Sequence, residues 1–160
     1  MFLFFNKKMA VYYLAAIFFV ALDRFLKVLA FNFFQDNGVN LIGEFLSFRF
    51  ESNYNIALSI PLHGFILQII IPFLIFGILF YSFVLIKKNE INSAGILTII
   101  AFAAMSNFYD RLYYGFVIDY FDVKWFSVFN LVDAVIFLSC LTLIFLSTKK
   151  HHYSNSDASI

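Results

Sequence analysis

The chain has 160 residues, of which 62% are hydrophobic and only 13% are charged, and its formal net charge is +1. Soluble domains carry about 25% charged residues, so this composition predicts an integral membrane protein that forms one compact unit. The near-neutral charge argues against nucleic-acid binding, which requires a basic patch. The single cysteine, Cys140, excludes an internal disulfide.

Four apolar segments are close to the length of about 20 residues that a helix needs to cross a bilayer. They extend from about Met9 to Ala30, Gly64 to Ile86, Ser93 to Leu112 and Asn130 to Ser147. We therefore expect a mainly α-helical, polytopic membrane protein with four transmembrane helices. It would comprise a single membrane domain over residues 1–148 and a polar cytoplasmic tail over residues 149–160, which we expect to be disordered from Tyr153.

The first apolar segment has a cleaved signal peptide as its alternative interpretation, because two lysines precede it. Residues Asp23 to Lys27 read D-R-F-L-K, which is a poor small-residue cleavage site, and apolar residues resume beyond them. A retained transmembrane helix is therefore the better prediction.

Residues 31–62 are mixed in character and lie between the first two helices. Gln35 to Gly38 is typical of a turn. Leu46 to Glu51 alternates apolar and polar residues, which predicts a short strand. We expect a small extracytoplasmic β-sheet between helices 1 and 2. We also expect a mobile loop over residues 113–129, which together with this sheet covers an apolar groove between the helices from outside.

Six lysines mark the predicted cytoplasmic ends of the helices, whereas the two outer loops hold only Arg49 and Lys124. The positive-inside rule then predicts that both termini are cytoplasmic. This topology places the charged residues within the helices at the outer interface. The six lysines are Lys7, Lys8, Lys87, Lys88, Lys149 and Lys150.

The stretch from Asn107 to Asp133 concentrates four carboxylates, two asparagines and an arginine beside apolar helices. Polar groups are costly in a bilayer and usually mark a function. Two acids in a low-dielectric cleft share a proton, so one can activate water while the other polarises a scissile carbonyl. This chemistry favours an aspartic peptidase, and nothing in the spacing indicates a metal or another cofactor.

Structural roles remain open for the same residues. Asp110 and its neighbour Arg111 could simply hold a helix end at the interface. Asn130 and Asp133 have the spacing of a capping box, in which each side chain binds the other's backbone N–H. Asp119 lies in an apolar run that resembles a strand, which is unusual for a solvated loop charge. Spacing alone does not decide whether Asp110 or Asp119 is the partner of Asp133.

Four blocks of this sequence resemble bacterial lipoprotein signal peptidase (signal peptidase II). The stretch N-F-Y-D-R-L-Y-Y-G-F-V-I-D-Y resembles the family's G-N-x-x-D-R-x-x-x-G-x-V-x-D-F, and F-N-L-V-D resembles F-N-x-A-D. D-R-F-L-K resembles the first-helix block D-x-x-x-K, and N-Y-N-I-A-L-S resembles N-x-G-x-A-F-S. The blocks occur in the family's order, and the resemblance extends from about Leu14 to Phe145.

The resemblance implies an aspartic endopeptidase of the bacterial inner membrane, with its active site at the extracytoplasmic face. Its substrates would be diacylglyceryl-modified prolipoproteins, cut just before the lipidated cysteine, and its other contacts would be membrane lipids. The resemblance places the catalytic pair at Asp119 and Asp133, and it implies no metal. Nothing in the sequence requires more than a monomer. Supporting or substrate-contacting positions would be Asn53, Asn107, Arg111 and Asn130, and positions important for the integrity of the site would be Asp23 and Asp110.

The chain departs from the family blocks at four positions. Asn55 and Ser106 replace glycines, Leu58 replaces a phenylalanine, and Val132 replaces an alanine next to Asp133. These changes keep one alternative open, a catalytically inactive protein that binds lipidated precursors. A second alternative is an ion- or proton-conducting membrane protein that uses its acids as relays. Both catalytic acids are present, so we expect an active enzyme.

Overall fold

The computed structural model describes residues 7–54 and 65–157, with side chains described over 7–54 and 68–149. Each of the four predicted helical segments is an α-helix: α1 (Lys7–Phe33), α2 (Phe65–Lys87), α3 (Ile91–Tyr113) and α4 (Leu131–Asp157). Four strands complete the described part: β1 (Val39–Ile42), β2 (Leu46–Asn53), β3 (Val117–Val123) and β4 (Val128–Phe129). The departures at Asn55 and Leu58 lie outside the described residues.

Three helices are long and apolar enough to cross a membrane among the residues described: Gln68–Lys87, Ile91–Tyr113 and Leu131–Lys149. Helix α1 has 27 residues but is not among them, and it carries Asp23, Arg24 and Lys27 towards its C-terminal end. The mainly helical membrane architecture is therefore confirmed, whereas the count of four spans and their orientation stay predictions. Helix α4 continues to Asp157, so the prediction of disorder from Tyr153 is wrong for residues 153–157.

Helix α3 is the centre of the helical part, since it contacts α1, α2 and α4. Small residues permit this close packing: Ala94 and Ala101 are fully buried, and a Cβ added at Gly95 would lie 2.1 Å from the Tyr12 ring of α1. The Ser82 hydroxyl donates to the Ala94 carbonyl at 2.8 Å and so ties α2 to α3. The Tyr12 ring of α1 thus packs directly onto Gly95 of α3, and a buried hydroxyl ties α2 to α3.

The sheet is antiparallel throughout, with the order β1-β2-β3-β4. Only its first two strands come from the segment between α1 and α2, because β3 and β4 come from the segment between α3 and α4. The prediction of a small sheet between α1 and α2, with a strand from Leu46, is therefore confirmed. The prediction of a loop over 113–129 is wrong, because this segment adds two strands to the same sheet. Val117 to Val123 reads V-I-D-Y-F-D-V, whose β-branched and aromatic residues favour a strand.

The sheet packs against the C-terminal end of α1 through a core of Ala30, Phe48 and Tyr120. The pairing of β2 with β3 is irregular between Phe48 and Glu51, where two residues of β2 lie opposite the single residue Tyr120. Such bulges often occur beside functional sites, where they redirect side chains. Here the bulge directly precedes the pair formed by Glu51 and Asp119. We call this end of the helices the sheet end.

Candidate active site

A buried cluster of four charged side chains joins α1 to α3 at the sheet end. Lys27 Nζ lies 3.0 Å from Asp23 Oδ2 and 2.7 Å from Asp110 Oδ2, and Arg24 Nη1 lies 2.7 Å from Asp110 Oδ1. Two carboxylates are thus balanced by two cations. Asp23, Asp110 and Lys27 are each exposed by 1% or less. Charges buried this deeply persist only when they are paired and hydrogen-bonded.

Asp110 connects three elements. Besides Arg24 and Lys27 of α1, its carboxylate accepts the backbone N–H of Ile118 in β3 at 3.3 Å. Its carboxylate therefore connects α3 to α1 and to the sheet. The open alternative of a local pair with Arg111 does not account for these contacts with Arg24 and Lys27. Sequence reasoning missed the part of Arg24, although an arginine within an apolar helix is itself a signal that a partner exists.

Asp119 lies at the centre of β3 and is only 1% exposed. Asn130 Nδ2 donates to Asp119 Oδ1 at 2.6 Å, and Asn53 Nδ2 donates to Oδ2 at 2.9 Å. Asn53 reaches it because Glu51, two residues earlier in β2, is the cross-strand partner of Asp119. Both carboxylate oxygens are therefore held by side-chain amides from separate elements.

Asp133 lies in the first turn of α4 and is partly exposed. Asn107 Nδ2 donates to Asp133 Oδ1 at 2.7 Å, and the backbone N–H of Asn130 lies 3.4 Å from Oδ2. In return, Asn130 Oδ1 accepts the backbone N–H of Asp133 at 2.9 Å. The predicted capping box is therefore present. It leaves the Asn130 amide free to donate to Asp119 Oδ1 and, at 3.2 Å, to Asn107 Oδ1, so capping and a role in the site are compatible.

Asn130 is the common neighbour of the two acids, because it contacts Asp119 through its amide and Asp133 through its carbonyl oxygen and backbone. Asn107 is oriented in a similar way. Its Oδ1 accepts Lys27 Nζ at 2.7 Å, and because an ammonium group only donates, the Asn107 N–H must point away from it, towards Asp133. The charged cluster thus fixes the amide that binds the second acid.

The pKa of Asp119 is raised from its ordinary value of 3.8 to about 7. Burial is the largest cause, since it penalises the charged carboxylate, and the nearby charge of Asp133 is the second. Hydrogen bonds from Asn53 and Asn130 and the charge of Lys27 act in the opposite direction. Two acids that interact strongly titrate as a pair and can share one proton. That state combines a general base and a general acid.

All eight residues predicted for the site lie at the sheet end. Seven of them are linked by the contacts described above: Asp23, Asn53, Asn107, Asp110, Asp119, Asn130 and Asp133. Arg111 is partly exposed, and its guanidinium interacts electrostatically with three acids of the site, Asp119, Asp133 and Asp110. Among the side chains that are described, over 7–54 and 68–149, no group of three or more histidine, cysteine or acidic residues is arranged to hold a metal ion.

The sequence matches the family described as signal peptidase (SPase) II over residues 15–149. The chain belongs to the signal peptidase II family. A signal peptidase is a proteolytic enzyme, so the protein is a peptidase. The match includes every predicted site residue, from Asp23 to Asp133.

Relatives in this family cover most of the chain. A lipoprotein signal peptidase of Caldicellulosiruptor bescii is 36% identical over 129 residues, which cover 81% of this chain and 85% of that protein. A lipoprotein signal peptidase of Chlorobaculum parvum is 31% identical over an alignment of 160 positions. This alignment covers 88% of this chain and 97% of that protein. The chain thus corresponds to nearly the full length of these signal peptidases.

Two solved structures of a bacterial membrane enzyme, both determined by the in meso method, are similar in fold. Their TM-scores are 0.73 and 0.70, each at 22% sequence identity. The first comparison covers 88% of both chains, and the second covers 87% of this chain and 92% of the other. At this identity the likeness concerns the fold alone, and it includes the greater part of this signal peptidase II chain.

Val132, which replaces an alanine of the signal peptidase II block, is fully buried and packs with Ala103 of α3 and Val135 of α4. Its extra bulk is therefore accommodated within the helix interface. Ser106, which replaces a glycine, donates from Oγ to Asp23 Oδ2 at 2.8 Å. Neither departure removes a contact of Asp119 or Asp133.

Proposed function

We propose that this chain is an aspartic endopeptidase that removes the signal peptide from diacylglyceryl-modified prolipoproteins, cutting before the lipidated cysteine. Membership of the signal peptidase II family supports the substrate class, and the relatives in Caldicellulosiruptor bescii and Chlorobaculum parvum are lipoprotein signal peptidases by name. The observation that carries the aspartic mechanism is the convergence of Asp119 and Asp133 on Asn130.

The two carboxylates would act as one unit with a single proton. The ionised carboxylate removes a proton from water as that water attacks the scissile carbonyl, and the protonated one donates to the carbonyl oxygen. The pKa of Asp119, raised to about 7, supports this division at neutral pH. Asp133 is partly exposed whereas Asp119 is buried, so the open side of the pair lies at Asp133.

Supporting roles follow from the contacts of each side chain. Asn53, Asn107 and Asn130 hold the carboxylate oxygens of the pair, which limits their rotation. Asp23 and Asp110 hold α1, α3 and the sheet together. For Arg111, a long donor at the same end of α3, we propose contact with a backbone carbonyl of the substrate.

We further propose that α1 also spans the membrane, giving four spans with both termini in the cytoplasm. The site would then lie at the extracytoplasmic face of the inner membrane, and the protein would act as a monomer surrounded by lipid. The lysines at the opposite helix ends support this orientation. A lipid-anchored substrate would present its scissile bond at a fixed depth, which favours reaction by orientation.

The alternative of an ion or proton conductor has less support. Residues 9–22, 65–86, 93–109 and 134–148 contain no aspartate, glutamate, lysine or arginine. A relay across the bilayer requires ionisable groups along its length. The charged residues of this chain lie instead at the two ends of the helices.

The proposed function is tested by a gel-shift assay with purified protein in detergent and a diacylglyceryl-modified prolipoprotein. Asp119→Asn and Asp133→Asn keep the size of the side chain but cannot exchange the proton. We expect each to abolish cleavage while remaining folded and membrane-inserted. The matched control is Asp122→Asn on the same strand, whose carboxylate binds Arg49 at 2.8 Å outside the site, and it should cleave like wild type.

Near-normal turnover by either dyad variant would refute the assignment of the catalytic pair. Binding of the lipidated precursor by wild type without any product would instead favour the inactive binder. Acid-dependent ion flux in liposomes without proteolysis would favour the conductor. Mass spectrometry of the product tests the cleavage position, which we expect immediately before the lipidated cysteine.

A further inference from the structure

Two hydroxyl groups bind the buried carboxylate of Asp23, one at each oxygen. Ser106 Oγ donates to Oδ2 at 2.8 Å, and the Tyr120 hydroxyl donates to Oδ1 at 2.9 Å. One hydroxyl thus ties Asp23 of α1 to α3, and the other ties it to β3.

The Tyr120 hydroxyl makes a second contact that Ser106 does not share. Its oxygen accepts the backbone N–H of Leu131 at 2.9 Å. The carboxylate of Asp23 can only accept, and a backbone N–H can only donate, so the hydroxyl proton must point to Asp23 and the oxygen lone pair to Leu131. Leu131 is the first residue of α4, where backbone N–H groups have no partner within the helix.

This one hydroxyl therefore connects α1, β3 and α4. Tyr120 directly follows Asp119 in β3, and Leu131 lies two residues before Asp133 in the first turn of α4. The ring of Tyr120 is fully buried against Phe48. The link thus joins the two backbone segments that carry the acids, in a region where side chains have little freedom to move.

We propose that Tyr120 is a positioning residue, whose hydroxyl fixes the strand that carries Asp119 to the helix turn that carries Asp133. The inference rests on the proposed function, because it requires that the two carboxylates act together. Reacting groups must be held to within about 0.5 Å of their productive positions, so loosening this link slows chemistry more than it weakens substrate binding.

The first test is Tyr120→Phe, which keeps the ring and removes only the hydroxyl. We expect kcat for cleavage of the lipidated prolipoprotein to fall about 10-fold while KM stays within about 2-fold. The matched control is Ser106→Ala, which removes the other hydroxyl from Asp23 without touching β3 or α4. It should leave kcat within about 2-fold of wild type.

A second test cuts the link at its other end and leaves the Tyr120–Asp23 hydrogen bond in place. Leu131→Pro removes the N–H that the hydroxyl accepts, and proline is well tolerated at the first position of a helix. Leu131→Ala is its control, because it shortens the side chain but retains the N–H. We expect Leu131→Pro to lose kcat about as strongly as Tyr120→Phe, relative to Leu131→Ala.

Two results would overturn the inference: wild-type kcat in Tyr120→Phe, or an equal loss of kcat in Tyr120→Phe and Ser106→Ala. The second result would mean that the hydroxyls serve only to stabilise Asp23. Asp119→Asn is measured in the same assay. If it is inactive while Tyr120→Phe is unimpaired, only the role of Tyr120 is refuted. If Asp119→Asn cleaves, or wild type does not, the proposed function fails and this inference fails with it.

Discussion

Asp119→Asn should stabilise the folded protein at alkaline pH and lose this advantage in acid. The pKa of Asp119 in the folded chain is about 7, against an ordinary value of 3.8. A carboxyl whose pKa is raised on folding binds its proton more tightly in the folded state. The stability of wild type therefore falls as pH rises from about 4 to about 7, and stays low above that range.

The size of the effect follows from the two pKa values and from the hydrogen bonds of the side chain. The pKa difference of about 3 corresponds to ~4 kcal/mol lost by wild type above pH 7. Asparagine carries no charge, but it can accept only one of the two amide N–H groups of Asn53 and Asn130, which costs ~1 kcal/mol. The net gain is ~3 kcal/mol at about pH 8.5, and it is near zero at about pH 4.5.

Thermal unfolding in detergent, followed by intrinsic fluorescence at several pH values, measures this directly. We expect the midpoint of Asp119→Asn to exceed that of wild type by at least ~5 °C at about pH 8.5. The control is Asp122→Asn on the same strand, a partly exposed carboxylate outside the site, and it should not raise the midpoint in this way. A midpoint for Asp119→Asn at or below that of wild type at about pH 8.5 would refute the reasoning that burial raises this pKa.

Three further substitutions test other parts of the structure. Lys27→Met leaves two buried carboxylates without their shared cation and should lower the free energy of unfolding by ~3–5 kcal/mol. Its control, Lys124→Met at an exposed lysine, should cost less than ~1 kcal/mol. Equal midpoints of the two variants in thermal unfolding would contradict this. Gly95→Ala places a Cβ against the Tyr12 ring and should lower the midpoint of thermal unfolding. Gly77→Ala has open space around the added Cβ and should raise the midpoint slightly. A rise in both variants would refute the close contact between Gly95 and Tyr12. Asn130→Ser keeps the helix cap but loses the amide that donates to Asp119. Cleavage should therefore slow at least ~10-fold, with little change in the midpoint of thermal unfolding. Cleavage at the wild-type rate would count against a role for the Asn130–Asp119 hydrogen bond.

The helices could be predicted well because apolar runs and flanking lysines are local signals. Predicted and observed ends differ by at most three residues, except at the C-terminus of α4. The sheet was harder, because strand pairing joins residues far apart in the chain. Asp119 and Asp122 interrupt the apolar pattern of β3, and this segment pairs with β2 rather than forming a loop.

Local spacing also determined which parts of the site could be foreseen. The Asn130–Asp133 capping box spans three residues and is confirmed. The Asp23–Lys27 ion pair spans four residues of one helix, which is also a spacing that a sequence shows directly. The contacts of Arg24 and Lys27 with Asp110 connect different helices, and spacing within one sequence carries no information about such pairs. The choice of Asp119 as the partner of Asp133 came from resemblance, and its catalytic role stays a prediction.

The most direct test of the central claim is single-turnover cleavage of a diacylglyceryl-modified prolipoprotein by Asp119→Asn, Asp133→Asn and the double variant. Groups that act as one unit lose activity non-additively, so removing both costs no more than removing one. We expect each single variant to lose at least ~1,000-fold in rate and the double variant to be no slower. Losses that multiply in the double variant, or a single variant close to wild type, would contradict the proposal that the two carboxylates form one catalytic pair.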